Sequence, residues 1–268
     1  MMGQEVSKSP TVANDETPEW TLLYHQFNPP FPGRGQAIRF MFVDAGVKYV
    51  ESGKNLYGPD GFCDLFRGTG ANKKVYVKAL AQKHSAPFPV AAPPIIWHRR
   101  SDGKEVFLNQ LPAILRYVGT VLGYAPTDPI EVAIADKVML DVCDYVTEGR
   151  GSFHPVDGNA SYSIQKEEGD KKSLEWTTRR MLIWLNMFEK VLDKSSSDYV
   201  IGNSPSYADF SLYWACQATE AQFDNKFYKF AWKNADVPKL KAFKKRFDER
   251  PNIASWTGMY EYSGDSMM

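Results

Sequence analysis

The chain has 268 residues, of which 43% are hydrophobic and 14% aromatic, so it is long and apolar enough to bury a substantial core. These fractions exclude a disordered chain, and the balance of 32 basic and 32 acidic side chains provides no overall positive charge for binding nucleic acid. No stretch reaches the apolar length that a membrane-spanning helix needs.

The N-terminal segment, residues 1–19, is polar and lacks the apolar part of a secretory signal, so we expect a disordered tail. From Met2 it reads M-G-Q-E-V-S, the pattern of N-myristoylation at Gly3. Met1 precedes this pattern, which favours a solvated tail, and membrane contact is expected only if Gly3 is acylated. The cysteines, Cys63, Cys143 and Cys216, are odd in number and widely spaced, as is typical of reduced thiols in a cytoplasmic protein.

Strand and helix patterns alternate from Trp20 onward. The run WTLLYHQF predicts a strand, RGQAIRFMFVDAG a helix that Gly46 closes, and VKYVES a second strand. Residues 53–92 give no clear pattern. PPIIWH and EVFLN then predict two strands joined by a turn with an Asp-Gly signal, and PAILRYVGTVLG predicts a helix. This βαβ–ββα order predicts an α/β thioredoxin-like N-terminal domain with a mixed sheet, over residues 20–124.

After YAPTDP the strand signals disappear, and apolar residues recur at helical spacing. We expect an all-α C-terminal domain over residues 130–260. The inward face of its first helix is predicted to carry Ile130, Ile134, Val138, Val142 and Tyr145. A second helix is predicted to carry a row of inward apolar residues from Leu174 to Leu192. SYADFSLYWACQA and VPKLKAFKKRFDER predict two more helices, and Ser206 and Asp209 have the spacing of a capping box at the start of the former.

Three stretches resemble the cytosolic glutathione S-transferase family, over roughly residues 20–258. They are FPGRGQAIRFMFVDAGVKY, the segment from APPII through DGKEVFLNQLPAILRYVG, and YVIGNSPSYADFSLYW. The resemblance implies glutathione as co-substrate, an electrophilic small molecule as second substrate and a homodimer. It implies no metal and no nucleotide.

Tyr24 is the candidate catalytic residue that the resemblance implies. In the tyrosine-using classes, a hydroxyl at the end of the first strand stabilises the glutathione thiolate, whose pKa is otherwise near 8.5. Nine residues separate Tyr24 from Arg34, more than is usual in the family. Either the intervening loop is an insertion and Tyr24 still reaches the sulfur, or another group such as Asn28 does. Tyr24 as an ordinary strand aromatic is an equal alternative.

The resemblance also indicates which residues bind the glutathione backbone. Pro94 matches the family's cis-proline. The residue before it normally pairs with the cysteinyl part of glutathione through both its N–H and its C=O, but here it is Pro93, which has no N–H. The expected site therefore lacks one hydrogen bond.

Gln110 and Leu111 occupy the turn that holds the γ-glutamyl carboxylate in the family, at a helix N-terminus. Gln110 keeps the family's amide, whereas Leu111 replaces a serine or threonine and offers only its backbone N–H. With the missing Pro93 donor, the loss could approach 3 kcal/mol, about a hundredfold in affinity. Asp144 matches an acid that some classes supply to the ligand bound by the partner subunit, although a solvated helix acid is the favoured interpretation.

The second substrate is expected between the domains, against Tyr145 to Phe153 and Trp214, although such aromatics are more often core residues. His98 and His154 are expected to be structural or solvated. The leading interpretation is a glutathione transferase of the kind used in detoxification. A non-catalytic module with the same fold, used for assembly or for binding apolar ligands, and a glutathione-dependent isomerase or lyase are the alternatives.

Overall fold

A computed structural model describes residues 19–24, 32–52, 93–158 and 160–256 of the chain. Four parts of the chain discussed above lie outside the described residues. They are the expected N-terminal tail apart from Glu19, the alternative thiol donor Asn28, the segment 53–92 that gave no clear pattern, and the C-terminal end of the expected helical domain. None of the described helices has the length and apolar character needed to cross a membrane.

The N-terminal part of the fold is a four-stranded mixed sheet with strand order β2-β1-β3-β4. Strand β1 is parallel to β2, whereas the β1–β3 and β3–β4 pairs are antiparallel. The strands and their helices are β1 (Trp20–Leu23), α1 (Gln36–Asp44), β2 (Tyr49–Ser52), β3 (Ile95–Arg99), β4 (Glu105–Asn109) and α2 (Leu111–Leu122). The predicted thioredoxin-like order is therefore confirmed.

Helix α1 is buried over nearly all its length, from Gln36 to Phe42, because it lies between the sheet and the helical half of the molecule. It ends at Asp44, and Gly46 follows in the left-handed region with φ 65°. Glycine adopts this conformation without the steric cost that a side chain adds, so the predicted helix end at Gly46 is explained by its backbone.

The C-terminal part is entirely helical among the described residues from 129 onward. Its helices are α3 (Pro129–Phe153), α4 (Lys166–Thr178), α5 (Arg180–Lys194), α6 (Tyr207–Phe223), α7 (Ala231–Asn234), α8 (Pro238–Asp248) and α9 (Pro251–Ala254). We propose that the boundary between the two domains lies between α2 and α3, in residues 124–129.

Two predictions for these helices need correction. Ile130 and Ile134 are exposed, at 71% and 40%, because the buried face of α3 begins further along, at Ala135. The single helix predicted from Leu174 to Leu192 is two helices, α4 and α5. The hydroxyl of Thr178 donates to the backbone carbonyl of Leu174, a bond that competes with the regular helical pattern where α4 ends.

The carboxylate of Asp44 forms an ion pair that joins the two halves. The Arg250 guanidinium donates to both carboxylate oxygens of Asp44, at 2.5 and 2.6 Å, and the Tyr124 hydroxyl donates to the same carboxylate at 2.6 Å. The Asn252 amide donates to the Asp44 carbonyl at 2.8 Å. Because Asp44 ends α1, these bonds fix the far end of that helix against the C-terminal helices.

The capping box at the start of α6 is present. The Ser206 hydroxyl accepts from the Asp209 N–H, and the Asp209 carboxylate accepts from the Ser206 N–H at 2.8 Å. The carboxylate also accepts from the Val200 N–H at 2.7 Å, so it fixes the loop before the helix. This confirms the sequence prediction and gives the box a structural role.

Candidate active site

The ends of three strands meet at one edge of the sheet. The last residue of β1 pairs with the first residue of β3, which in turn pairs with the last residue of β4. Tyr24 follows β1, Pro94 precedes β3 and Gln110 follows β4. The register therefore brings three residues that are far apart in sequence to the same edge, where α2 begins.

Tyr24 is buried at this edge, and its hydroxyl accepts a hydrogen bond from the Arg34 backbone N–H at 2.8 Å. The ring lies against Gly35, where a Cβ would be only 2.9 Å from the Tyr24 Cδ1 atom, so a glycine is needed for this close approach. Burial raises the pKa of Tyr24, an effect that Arg39 partly opposes. The phenol therefore stays protonated at neutral pH and is chemically a hydrogen-bond donor.

Arg39 is the buried cation beside Tyr24. Its guanidinium carbon lies 5.5 Å from the centre of the Tyr24 ring, and its two bonds to the Glu51 carboxylate join α1 to β2. It also donates to the Pro32 carbonyl at 2.8 Å and to the Gln36 side chain at 3.1 Å. Arg39 thus fixes the start of α1 against the sheet, which positions the backbone that contacts the Tyr24 hydroxyl.

The peptide bond between Pro93 and Pro94 is cis, as the resemblance implies. Pro94 is buried and Pro93 is half-buried. Because proline has no N–H, a ligand backbone beside Pro93 could pair only with its carbonyl.

Gln110 has φ 69° and ψ 110°, a left-handed conformation that is uncommon for a residue other than glycine. Such strain persists where surrounding structure imposes it, often at binding sites. The Gln110 side chain is exposed, whereas Leu111 is only 2% exposed and packs in the core below α2. The leucine side chain is therefore a packing residue, and only its backbone N–H is suited to contact a ligand.

Arg34 links the sheet edge to helix α3. Its guanidinium donates to the Thr147 hydroxyl at 2.9 Å, and that hydroxyl donates to the Cys143 carbonyl at 2.7 Å. Burial raises the pKa of the Cys143 thiol to about 11. Cys143 is therefore a protonated, unreactive thiol at neutral pH, and Arg34 is the polar contact between the two halves at this point.

Asp144 lies on the exposed face of α3. Among the described residues, no hydrogen bond or ion pair joins it to Tyr24, Pro94 or Gln110. The role of Asp144 at a ligand of the partner subunit stays a prediction.

The aromatic residues proposed for the second substrate are core residues. Tyr145 and Trp214 are completely buried and Phe153 is 3% exposed. The Tyr145 hydroxyl pairs with the Thr219 hydroxyl at 2.6 Å inside the helical core. These side chains support the wall of α3 rather than lining an open pocket.

The two histidines have structural contacts. His98 is buried between the Tyr117 hydroxyl, 2.8 Å from its Nδ1, and the Glu19 carboxylate, 3.1 Å from its Nε2. It pairs with Trp20, at the opposite end of β1 from Tyr24. His154 is half-buried, with its Nδ1 2.9 Å from the Ala160 carbonyl, and burial lowers its pKa.

Comparisons with known proteins identify several that are similar to this chain. Residues 152–258 match the family described as glutathione S-transferase, C-terminal domain. The chain is 26% identical to glutathione S-transferase 1 of Ascaris suum over 241 residues, which cover 89% of this chain and 95% of that protein. It is also 26% identical to hematopoietic prostaglandin D synthase of Gallus gallus over 244 residues, again covering 89% and 95%. Together these similarities support a relationship to the cytosolic glutathione S-transferases, and the matched family domain covers the C-terminal part of the chain.

The fold comparison covers most of the chain. A solved Pi-class glutathione S-transferase from Onchocerca volvulus superposes with a TM-score of 0.62 at 18% identity, and the match covers 88% of this chain and 90% of that one. At this identity the match shows the glutathione S-transferase fold alone. The two features in which this chain departs from the family, Pro93 and Leu111, both lie at the strand edge described above.

Sequence reasoning missed two residues of the candidate site. Arg39 stands between apolar residues of α1, and a charged side chain on a buried face is the signal that could have indicated a buried partner. The Arg34–Thr147 contact joins residues 113 positions apart, and no local pattern predicts it.

Proposed function

We propose that this protein is a glutathione transferase that transfers the glutathione thiolate to an electrophilic, largely apolar small molecule. The observation that carries the proposal is the convergence of Tyr24, Pro94 and Gln110 at one sheet edge, with the Tyr24 phenol kept protonated. A protonated phenol can donate a hydrogen bond to a thiolate and lower the pKa of the thiol.

In the proposed reaction, glutathione binds along the strand edge, with its cysteinyl backbone beside Pro94 and its γ-glutamyl carboxylate at the N-terminus of α2. Backbone N–H groups at a helix N-terminus favour an anion. The thiol loses its proton to solvent, and Tyr24 stabilises the sulfur anion. The anion then forms a carbon–sulfur bond with the electrophile while the bond to the leaving group breaks, and with an aryl halide the halide ion leaves to solvent. The enzyme works in the cytoplasm in this proposal.

Binding and turnover together test this function. We expect calorimetry to detect glutathione at millimolar concentration and below, and the protein to conjugate it to a generic aryl halide. No heat of binding at millimolar glutathione would contradict every glutathione-dependent role. Binding without conjugation would leave two alternatives, each favoured by its own observation.

The first alternative is a glutathione-dependent isomerase, because one relative is a prostaglandin D synthase. The same thiolate would serve as a reversible nucleophile. The second is a non-catalytic module, favoured by the loss of polar ligand contacts at Pro93 and Leu111. An isomerase would turn over an unsaturated or peroxidic substrate without consuming glutathione, whereas the module would convert neither class of substrate.

We also propose a homodimer with α3 in the interface, since family members are generally dimeric. Ile130, Ile134 and Leu140 expose 71%, 40% and 50% of their surface along this helix, which supports a contact that would cover them. Asp144 shares this helix and would reach the ligand of the partner subunit. Sedimentation equilibrium of the Leu140→Glu variant, with expected dissociation to monomers, tests the interface.

A further inference from the structure

The segment that follows α6 has a strong excess of positive charge in a chain that is neutral overall. Residues 226–247 contain eight lysines and arginines and one acidic residue, Asp236. Exposed aromatic side chains occur in the same segment. Phe227 and Phe230 expose 49% and 43% of their surface, unlike the buried phenylalanines of α6 and α8.

The loop that displays these two phenylalanines, here called the basic aromatic loop (residues 226–233), has a defined conformation. Lys229 and Phe230 are consecutive left-handed residues, with φ 53° and 52°. The Phe230 N–H donates to the Asn225 carbonyl at 2.8 Å, and the Asn234 amide donates to the Lys229 carbonyl at 2.7 Å. These bonds hold the loop in a conformation that otherwise costs free energy.

Tyr228 anchors the basic aromatic loop to the helical core. It is buried, its ring packs on Phe223 and Phe153, and its hydroxyl pairs with the Ser173 hydroxyl at 3.0 Å. Because Tyr228 points inward between Phe227 and Phe230, the loop presents those two phenylalanines outward on a rigid support.

The lysines of the loop are also uncompensated. Among the residues that the structure describes, Lys226, Lys229 and Lys233 have no carboxylate within ion-pair distance. By contrast, four of the five cations further along the segment form ion pairs, such as Lys244 with Glu220 at 2.7 Å. The fifth, Lys241, donates to two backbone carbonyls. The positive charge of the segment is therefore concentrated beside the two exposed phenylalanines.

We propose that the basic aromatic loop docks this protein on an anionic lipid membrane. Moving exposed aromatic rings from water into the boundary between headgroups and acyl chains lowers the free energy, while flanking lysines remain at the level of the anionic headgroups. Each lysine near such a surface strengthens binding about fivefold. An acidic protein or a nucleic acid would be attracted by the lysines but gives no comparable environment for both phenylalanine rings.

Vesicle co-sedimentation of the purified, unacylated full chain tests this proposal. We expect binding to phosphatidylcholine vesicles that contain about one third phosphatidylserine, and at least about fivefold weaker binding to phosphatidylcholine alone. The Phe227→Ser/Phe230→Ser variant and the Lys226→Ser/Lys229→Ser/Lys233→Ser variant should each bind the anionic vesicles at least about tenfold more weakly. All five side chains are exposed, so circular dichroism should show folded variants.

Matched controls separate this surface from general charge and hydrophobicity. Val50→Ser removes an exposed apolar side chain in β2, and the triple serine variant of Lys171, Lys190 and Lys194 removes the same charge elsewhere. Both controls should bind vesicles like the unmodified protein. Three results would each overturn the proposal: no vesicle binding, equal losses in controls and loop variants, and binding to polyglutamate or duplex DNA without binding to vesicles.

Discussion

Two arginine–glutamate pairs in the two halves of the molecule share a geometry and differ in exposure. In Arg39–Glu51, beside the sheet, and in Arg180–Glu148, between α5 and α3, the guanidinium donates two hydrogen bonds to one carboxylate. Each guanidinium carbon also lies close to the centre of an aromatic ring, at 5.5 and 5.2 Å respectively. The Arg39 side chain is completely buried, whereas the Arg180 side chain is 52% exposed.

This difference in exposure determines how strongly the stability of the fold depends on each ion pair. An exposed pair gains little because water solvates the separated charges well. Removing one partner of a buried pair leaves an unsolvated charge, so the stability of the fold depends strongly on both partners. In this protein the buried pair lies beside Tyr24 at the proposed site, and the exposed pair lies on the surface of the helical half.

Replacing the two arginines tests the comparison directly and should give the largest effect. We expect Arg39→Met to lower the free energy of unfolding by about 3–5 kcal/mol, because the substitution removes both guanidinium bonds from the largely buried Glu51 carboxylate. Arg180→Met, the matched control, should cost less than about 1 kcal/mol. Chemical denaturation of both variants measures the difference. Equal losses would show that burial does not distinguish the pairs.

Asp209 extends the comparison to a buried acid with a different kind of partner. Unlike Glu51, which pairs with a cation, Asp209 accepts hydrogen bonds from neutral donors among the described residues. Burial raises its pKa from the usual 3.8 to about 6, although three donors to the carboxylate oppose the shift. A pKa raised on folding means that the folded state binds the proton more strongly. The contribution of Asp209 to stability therefore falls as the pH rises from about 4 to 6, by about 3 kcal/mol in total.

The Asp209→Asn variant isolates this contribution, since it cannot ionise and keeps the other carboxylates of the chain. We expect the difference in unfolding free energy between the unmodified protein and the variant to decrease as pH rises from 4 to 7, by about 3 kcal/mol. Urea denaturation at several pH values measures it. A constant difference over this range would mean that the helix N-terminus keeps the Asp209 pKa near its ordinary value.

Asp209 and Arg39 also mark what sequence reasoning could and could not predict. The capping box was predictable because Ser206 and Asp209 are three residues apart and interact locally. Arg39 pairs with Glu51, twelve residues away across a strand, so its role depends on tertiary packing. The order of strands and helices along the chain and the helical second half followed from periodicity, and the hairpin from its Asp-Gly turn, because each depends on a local pattern.

The candidate site divides in the same way. The positions of Tyr24, Pro94 and Gln110 could be predicted from strand ends and from the family resemblance. The inward orientation of Leu111 and the contact of Arg34 with Thr147 could not, because both depend on how α2 and α3 pack. Ile130 and Ile134 were assigned to the core by their spacing alone, which does not distinguish a core face from another apolar face of the same helix.

Tyr24→Phe tests whether the hydroxyl of Tyr24, the buried tyrosine beside Arg39, serves catalysis. Removing a hydrogen bond to a thiolate should raise the pKa of bound glutathione and reduce conjugation about 10- to 100-fold at neutral pH. The pH–rate profile should shift to higher pH. Tyr117→Phe, which removes a half-buried phenol hydroxyl at the His98 end of the sheet, is the matched control and should leave the profile in place. An unshifted profile for Tyr24→Phe would remove it as the thiol-stabilising donor.

Pro93→Ala should have the smallest effect and would sharpen the assignment of the strand edge. The alanine restores the backbone N–H that proline lacks, and a backbone bond to the cysteinyl part of glutathione contributes about 1 kcal/mol. We therefore expect glutathione to bind about fivefold more tightly, measured by calorimetry. A Pro238→Ala variant, which frees a backbone N–H at the start of α8, outside the proposed site, controls for a general effect of removing proline. Equal affinities for all three proteins would place the cysteinyl backbone away from Pro93, even if Tyr24 proves to stabilise the thiolate.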